Sequence, residues 1–176
     1  MSAGLARAKV LEIKVLHEAT DLPIAYDAFT ARLEELLGRF EPAVAERLLA
    51  EDPSAAAARI GAMAGEEGLM LFGTQDHGGL FALGGKARKA KRYHIGNPLI
   101  AFQMTQHDIR AGLYAPLTVL VYETGPEAVR VEFDRPSSLF GQFGNQTVTE
   151  VALGLDAKLR ALIEKAACEP RSPLTS

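Results

Sequence analysis

Residues 117–133 read LTVLVYETGPEAVRVEF, and few arrangements can accommodate them. LTVLVYE (117–123) is an unbroken apolar run, the pattern of a central, fully buried strand. TGPE (124–127) has turn chemistry. AVRVEF (128–133) then sets Val129, Val131 and Phe133 against Arg130 and Glu132, so one of its faces is buried and the other meets water. The two segments are expected to pair as a hairpin within a sheet, with Val119 and Val121 in the core.

Around this hairpin the chain alternates strand and helix signals without a regular βαβα rhythm. KVLEIKVLHE (9–18) has the pattern of a first strand. Asp21 followed by Pro23 is a helix-opening pair, and Phe29, Leu33, Leu36 or Leu37, and Phe40 then recur at spacings of three and four, which marks a buried helix face. PAVAERLLAED and SAAAARIGAMAGEE extend the helical material, divided by Pro53, and GLMLFG (68–73) begins another strand. Thr147 with Glu150 makes a capping box, behind which Val148, Val151, Leu155, Leu159 and Leu162 line one side of a long terminal helix. Mixed elements of this kind predict an α+β fold rather than a parallel doubly wound sheet.

With 176 residues the chain suffices for one well-filled domain, expected over 9–168, with a flexible start (1–8) and a proline-containing tail (169–176). A net charge of −3 gives no basic excess for duplex binding, so nucleic acid is not an expected partner. The single cysteine, Cys168, excludes an internal disulfide and a cysteine metal cluster. Lys9, Glu12 and Lys14 interrupt what would be a signal-peptide core, Ser2 stands where myristoylation needs glycine, and no run approaches the roughly 18 apolar residues of a membrane span. A cytoplasmic protein that does not engage a membrane is expected.

Two short stretches could carry chemistry. In RYHIGNP (92–98), Asn97 is a preferred N-cap and Pro98 a preferred first helical residue, so a helix should leave a strand at Gly96; free N–H groups at such a start can also receive a polar or anionic ligand. In TQDHGG (74–79), Asp76 could orient His77 as a general base, provided the chain turns there, which Gly78 and Gly79 allow; the same glycines fit a plain loop. His17, His77, His94 and His107 share no short-range ligand spacing, so no metal is expected. In GLFALGGKARKAKR (79–92) the glycines fall out of register for a phosphate loop and Ala87 stands where its hydroxyl belongs, leaving a basic run that reads as solvated surface. There is no serine-nucleophile elbow, and Cys168 ends the last helix, a poor place for a catalytic thiol. LFGQFG (139–144) places two phenylalanines among glycines on an expected exposed loop, which points to a homodimer.

Taken in order, TQDH (74–77), IGNP (95–98), Phe102 to Met104, APLTVLVYE (115–123) and FDRPSSLFGQFG (133–144) resemble the family called domain of unknown function 302, over about residues 9–165. The chain departs from that pattern in its Gly-rich, basic segment 78–92, where an Ala-rich helix is expected. The resemblance implies a two-layer α+β fold, a curved and mainly antiparallel sheet backed by helices, similar to the TATA-box-binding-protein-like arrangement. It does not imply DNA binding, since such a shape hosts unrelated functions, and it leaves activity and cofactor open. It favours a shared site of Asp76, His77 and Asn97, and His94 and Met104 from the same stretches complete the candidate ligand-binding set. The expected role is binding of a small molecule in a cleft between sheet and helices; a small enzyme using Asp76 and His77 in acid–base chemistry, or a structural homodimer, are the alternatives.

Overall fold

The computed structural model describes residues 8–168. The expected flexible ends lie almost wholly outside these residues. In chain order the main elements are β1 (His17–Leu22), α1 (Tyr26–Leu36), β2 (Gly38–Arg39), α2 (Pro42–Glu51), α3 (Pro53–Gly61), β3 (Met70–Asp76), β4 (Ala90–Gly96), α4 (Pro98–Thr105), β5 (Leu117–Gly125), β6 (Ala128–Asp134), α5 (Pro136–Phe140) and α6 (Gln146–Ala167). The strands form one sheet in the order β1-β6-β5-β4-β3-β2, antiparallel except for the short β2–β3 pair. This is the expected α+β arrangement, a mainly antiparallel sheet backed by helices.

The hairpin forms the middle of the sheet. Val119 pairs with Phe133 and Val121 with Val131, and Val119, Val121, Val129 and Val131 have no exposed surface. Against them pack the stripe of α1, Phe29 and Leu33, and that of α6, Val148, Leu155, Leu159 and Leu162. Strand β5 is not buried on both faces, however. Thr118 is exposed and Leu120 and Tyr122 are half-buried, because α1 and α6 cover one face only. In β3 the two faces separate cleanly. Leu71, with Leu69 just before the strand, joins the main core, whereas Met70 and Phe72 join a smaller cluster under α2 and α3 with Leu48, Ala56 and Ile60. Alternation along a strand therefore places α2 and α3 on the opposite side of the sheet, over its β3 end. The rest of that face carries Thr118, Leu120, Tyr122, Arg130, Glu132, Arg92 and His94.

Three local expectations need correction. The first strand begins at His17, not Lys9, and residues 8–16 form no regular element. Its partner decides this. His17 pairs with Asp134, the last residue of β6, after which the chain enters α5, and among the described residues only Leu16 of the preceding segment still finds bonds, to Ser138 Oγ and Arg135 N. Asp21 opens no helix; it lies in β1 and accepts two bonds from the Arg130 guanidinium at 2.7 and 2.8 Å, while α1 starts after Ala25 without a side-chain cap. Helix α6 is capped by Asn145, whose Oδ1 accepts from Val148 N, so Thr147 lies inside the first turn.

Glu18 fixes edge strand β1 to the helical layer. Its carboxylate accepts from Arg160 of α6 at 2.7 to 3.2 Å and from Arg135, just before α5, at 2.8 Å. The Arg160 bonds, ahead of those from Arg135 and against the cost of burial, hold its pKa at about 2 against an ordinary 4.5. A carboxyl depressed on folding contributes stability that is complete above its unfolded pKa and lost as pH falls through the folded one. Glu18→Gln is therefore expected to cost about 1 to 2 kcal/mol near neutrality, given partly exposed arginines. Urea denaturation should show that difference shrinking between about pH 5 and about pH 2; a difference independent of pH would contradict the ion-pair account.

Candidate functional site

The two sequence stretches singled out for chemistry lie at opposite ends of one strand. His77 N–H donates to Ala90 O, at the first residue of β4, whereas Asn97 follows its last residue, Gly96. At the rise of an extended strand this separates them by roughly 23 Å. The expected shared site of Asp76, His77 and Asn97 is thus corrected: antiparallel pairing of β3 with β4 sends the end of one to the start of the other. Nor does the Asp76 carboxylate hold the His77 ring. It turns back to accept from Gly79 N–H at 2.9 Å, closing the loop that the two glycines allow. The segment after it forms a short 3-10 turn, Gly79–Gly84, and Gly85 takes the left-handed conformation with φ 70°.

Asn97 does cap α4, and does more. Its Oδ1 accepts from Leu99 N at 2.8 Å and Ile100 N at 3.4 Å, and its Nδ2 donates to Gly68 O at 2.8 Å, tying α4 to the chain entering β3. The N–H groups expected to be open to an anion are thus occupied by the cap. Asn97→Ala is expected to cost about 2 kcal/mol, the sum of a lost cap and a lost bond to a half-buried carbonyl. Asn97→Asp keeps the cap acceptor and loses only the donor, so thermal melting should place it between wild type and Asn97→Ala. Melting of Asn97→Asp equal to wild type would remove the role of Gly68, and equal melting of the two variants would remove that of the cap.

Around Asn97 the end of the sheet opens into a crevice of about 260 Å³. Phe72, Pro98, Ile100 and Ala101 form its outer wall, Pro116 closes one side, and Met104, Phe140 and Leu155 from the core form its floor. Gly96 leaves room for this meeting; a Cβ there would touch Pro116 and Phe72. The lining is almost wholly apolar, with Asn97 and Thr105 as its polar side chains. Two of the five expected ligand residues, Asn97 and Met104, therefore share a cavity. Sequence reasoning missed Phe72, Pro116 and Leu155, which come from distant segments and meet only through the sheet.

His94 and His77 belong elsewhere. His94 is on the sheet face opposite α1 and α6, with its Nε2 3.4 Å from Arg92 Nη2, and burial followed by the Arg92 charge lowers its pKa. His77 lines a groove on that face with Arg92, Leu120 and Tyr122. At the far edge His17 contacts Asp134 at 2.9 Å and Glu132 at 3.4 Å, and the Asp134 bond, with Glu132 adding to it, raises the imidazole pKa. The expected basic surface run is partly engaged: Lys89 pairs with Asp27, and Lys91 with Glu34, which also accepts from Tyr93 OH at 2.9 Å. Among the described residues no three His, Cys, Asp or Glu side chains converge as a metal set, and no helix is long and apolar enough to cross a membrane.

A family model described as domain of unknown function DUF302 matches residues 45–166. The chain belongs to the DUF302 family. The match holds Asp76, His77, His94, Asn97 and Met104, and starts at Ala45, well inside the span of the resemblance. The crystal structure of the uncharacterized conserved protein DUF302 from Bacillus stearothermophilus is similar to this chain with a TM-score of 0.60 at 16% sequence identity, covering 85% of this chain and 97% of that one. At that identity the likeness establishes a shared DUF302 fold and no more. No curated protein matches the sequence.

Proposed function

We propose that this DUF302 protein is a cytoplasmic small-molecule-binding domain whose ligand is a small, uncharged, largely apolar molecule held in the crevice beside Asn97 and Met104. The observation that carries this reading is the lining: an apolar cavity of about 260 Å³ with one amide at its rim. Apolar cavities of this order take up small apolar molecules, and ligand sites commonly pair an apolar body with few polar groups. Asn97 keeps its place in the candidate set as the rim residue and Met104 as the adaptable floor. The engagement of Asp76 with Gly79 weighs for binding over acid–base catalysis, and a net charge of −3 weighs against nucleic acid.

A thermal-shift series with small apolar probes (benzene, cyclohexanol, hexanol) tests this reading, since a ligand that binds the folded state raises its melting temperature. Saturable shifts are expected in the wild type. Ala101→Phe, which fills the crevice from its half-exposed outer wall, should abolish them while the protein remains folded. Shifts that survive in Ala101→Phe would place the ligand elsewhere.

Self-association is the second reading. The loop expected to drive it is not exposed: Phe140 is fully buried and Phe143 packs against the core beside Tyr114. What favours a homodimer instead is Phe102 on α4 together with Ile109 and Leu113 in the 3-10 turn packed against it, which are 61%, 79% and 75% exposed. Light scattering at micromolar concentration should give the mass of a dimer, and a monomer mass would dismiss it.

A further inference from the structure

The groove beside His77 has a different chemistry from the apolar crevice and lies near the other end of β4. It encloses about 590 Å³ on the sheet face opposite α1 and α6, within the size range of small-molecule sites. Its floor is Leu120 and Thr118 of β5 with Arg92 of β4, and Phe81 and Arg88 form one wall. Both charge signs line it, but they are not equally free. Glu132 already accepts from Tyr122 OH at 2.7 Å and lies 3.4 Å from the His17 ring, and Glu123 is 3.9 Å from Lys89. Arg92 is different. Among the described residues no carboxylate lies within ion-pair distance of it, its Nε is buried without a hydrogen-bond partner, and its one side-chain contact of that kind is His94 at 3.4 Å. Arg88 likewise has no carboxylate among the described residues, and its guanidinium lies 5.2 Å from the centre of the Phe81 ring.

We infer that this groove binds a small organic carboxylate, with Arg92 as the residue that recognises it. A guanidinium held without an acceptor is costly, and a planar carboxylate in the groove can accept from its terminal nitrogens together. The apolar body of the ligand lies over Leu120 and against Phe81, and Arg88 and His77 supply donors around it. A guanidinium fork matches a carboxylate better than an ammonium does, so lysine cannot replace Arg92 here. The loop carrying His77 thereby gains a role that the Asp76–His77 pairing could not give it. The site is independent of the apolar crevice, and either can fail without the other.

Benzoate is the probe that tests it, followed on the full chain by the 15N resonance of the Arg92 side chain and by backbone amides around Leu120. Saturable shifts at these positions are expected at millimolar benzoate, with none from benzamide, which has the same shape without the charge. Arg92→Gln should abolish them, and Arg92→Lys should weaken binding by roughly tenfold or more. The backbone spectrum of each variant away from the groove, unchanged from wild type, reports that it is folded. Absence of shifts in the wild type would overturn the inference, as would shifts that persist in Arg92→Gln. Equal binding of inorganic phosphate would overturn the assignment of a carboxylate.

Discussion

Val119→Asp is expected to unfold most of the protein at temperatures where the wild type is intact. Val119 has no exposed surface, sits on the central strand between Tyr93 of β4 and Phe133 of β6, and faces α1 and α6. Aspartate there would either stay ionised without a partner or take up a proton, and both routes cost several kcal/mol. That is a large share of the total stability of a protein this size. Urea denaturation at neutral pH measures it. A midpoint matching the wild type would mean that the hairpin does not form the middle of the sheet.

Phe140→Ala separates two accounts of the LFGQFG stretch. On an exposed loop the truncation would change stability by no more than about 0.5 kcal/mol. In the structure Phe140 ends α5, has no exposed surface, meets the Tyr114 ring edge-on at 6.1 Å and forms part of the crevice floor. Truncation of such a residue is expected to cost about 3 to 5 kcal/mol. It should also enlarge the crevice, so the same variant is expected to accept bulkier apolar probes if it remains folded. Calorimetric melting of wild type and variant decides between the two values.

The parts of the fold legible in the sequence are those that neighbouring residues dictate. The 117–133 hairpin, the break between α2 and α3 at Pro53, the Asn97 cap and the α6 stripe all rest on contacts within a turn or a strand pair, and all are present. The start of β1 shows the limit. KVLEIKV has strand composition, but a strand needs a partner, and β6 ends opposite His17. By residue type Asp21 and Thr147 suit helix caps; the first is taken by Arg130, more than a hundred positions away, and the second is displaced by Asn145 two residues earlier. Flanking glycines make Phe140 read as exposed, whereas a short helix turns it into the core.

For the site, nearness in sequence is misleading. Asp76, His77 and Asn97 flank the same pair of strands, but a hairpin brings His77 to the beginning of β4 and Asn97 to its end. That separation is implicit in the sequence, because two strands joined as a hairpin place the TQDH end of one beside the start of the other, and RYHIGNP closes the far end. The partners of the crevice have no such signal. Phe72 and Leu155 carry no motif and Pro116 belongs to the APLTVLVYE stretch without any sign of a site; they converge only because β3, α4, the start of β5 and α6 meet where the sheet stops. Glu18, which depends on Arg135 and Arg160, is equally silent.

Binding of a small molecule at the Gly96 end of β4, in the crevice floored by Met104, is directly measurable through the four methionines of the chain. With the ε-methyl groups labelled with carbon-13, titration of the wild type with hexanol should shift the Met104 resonance in a saturable manner and leave that of Met70, buried in the separate cluster under α2 and α3, in place. A Met104 resonance that does not move at saturating probe, or one that moves no more than Met70, would contradict the assignment of the crevice as the ligand site.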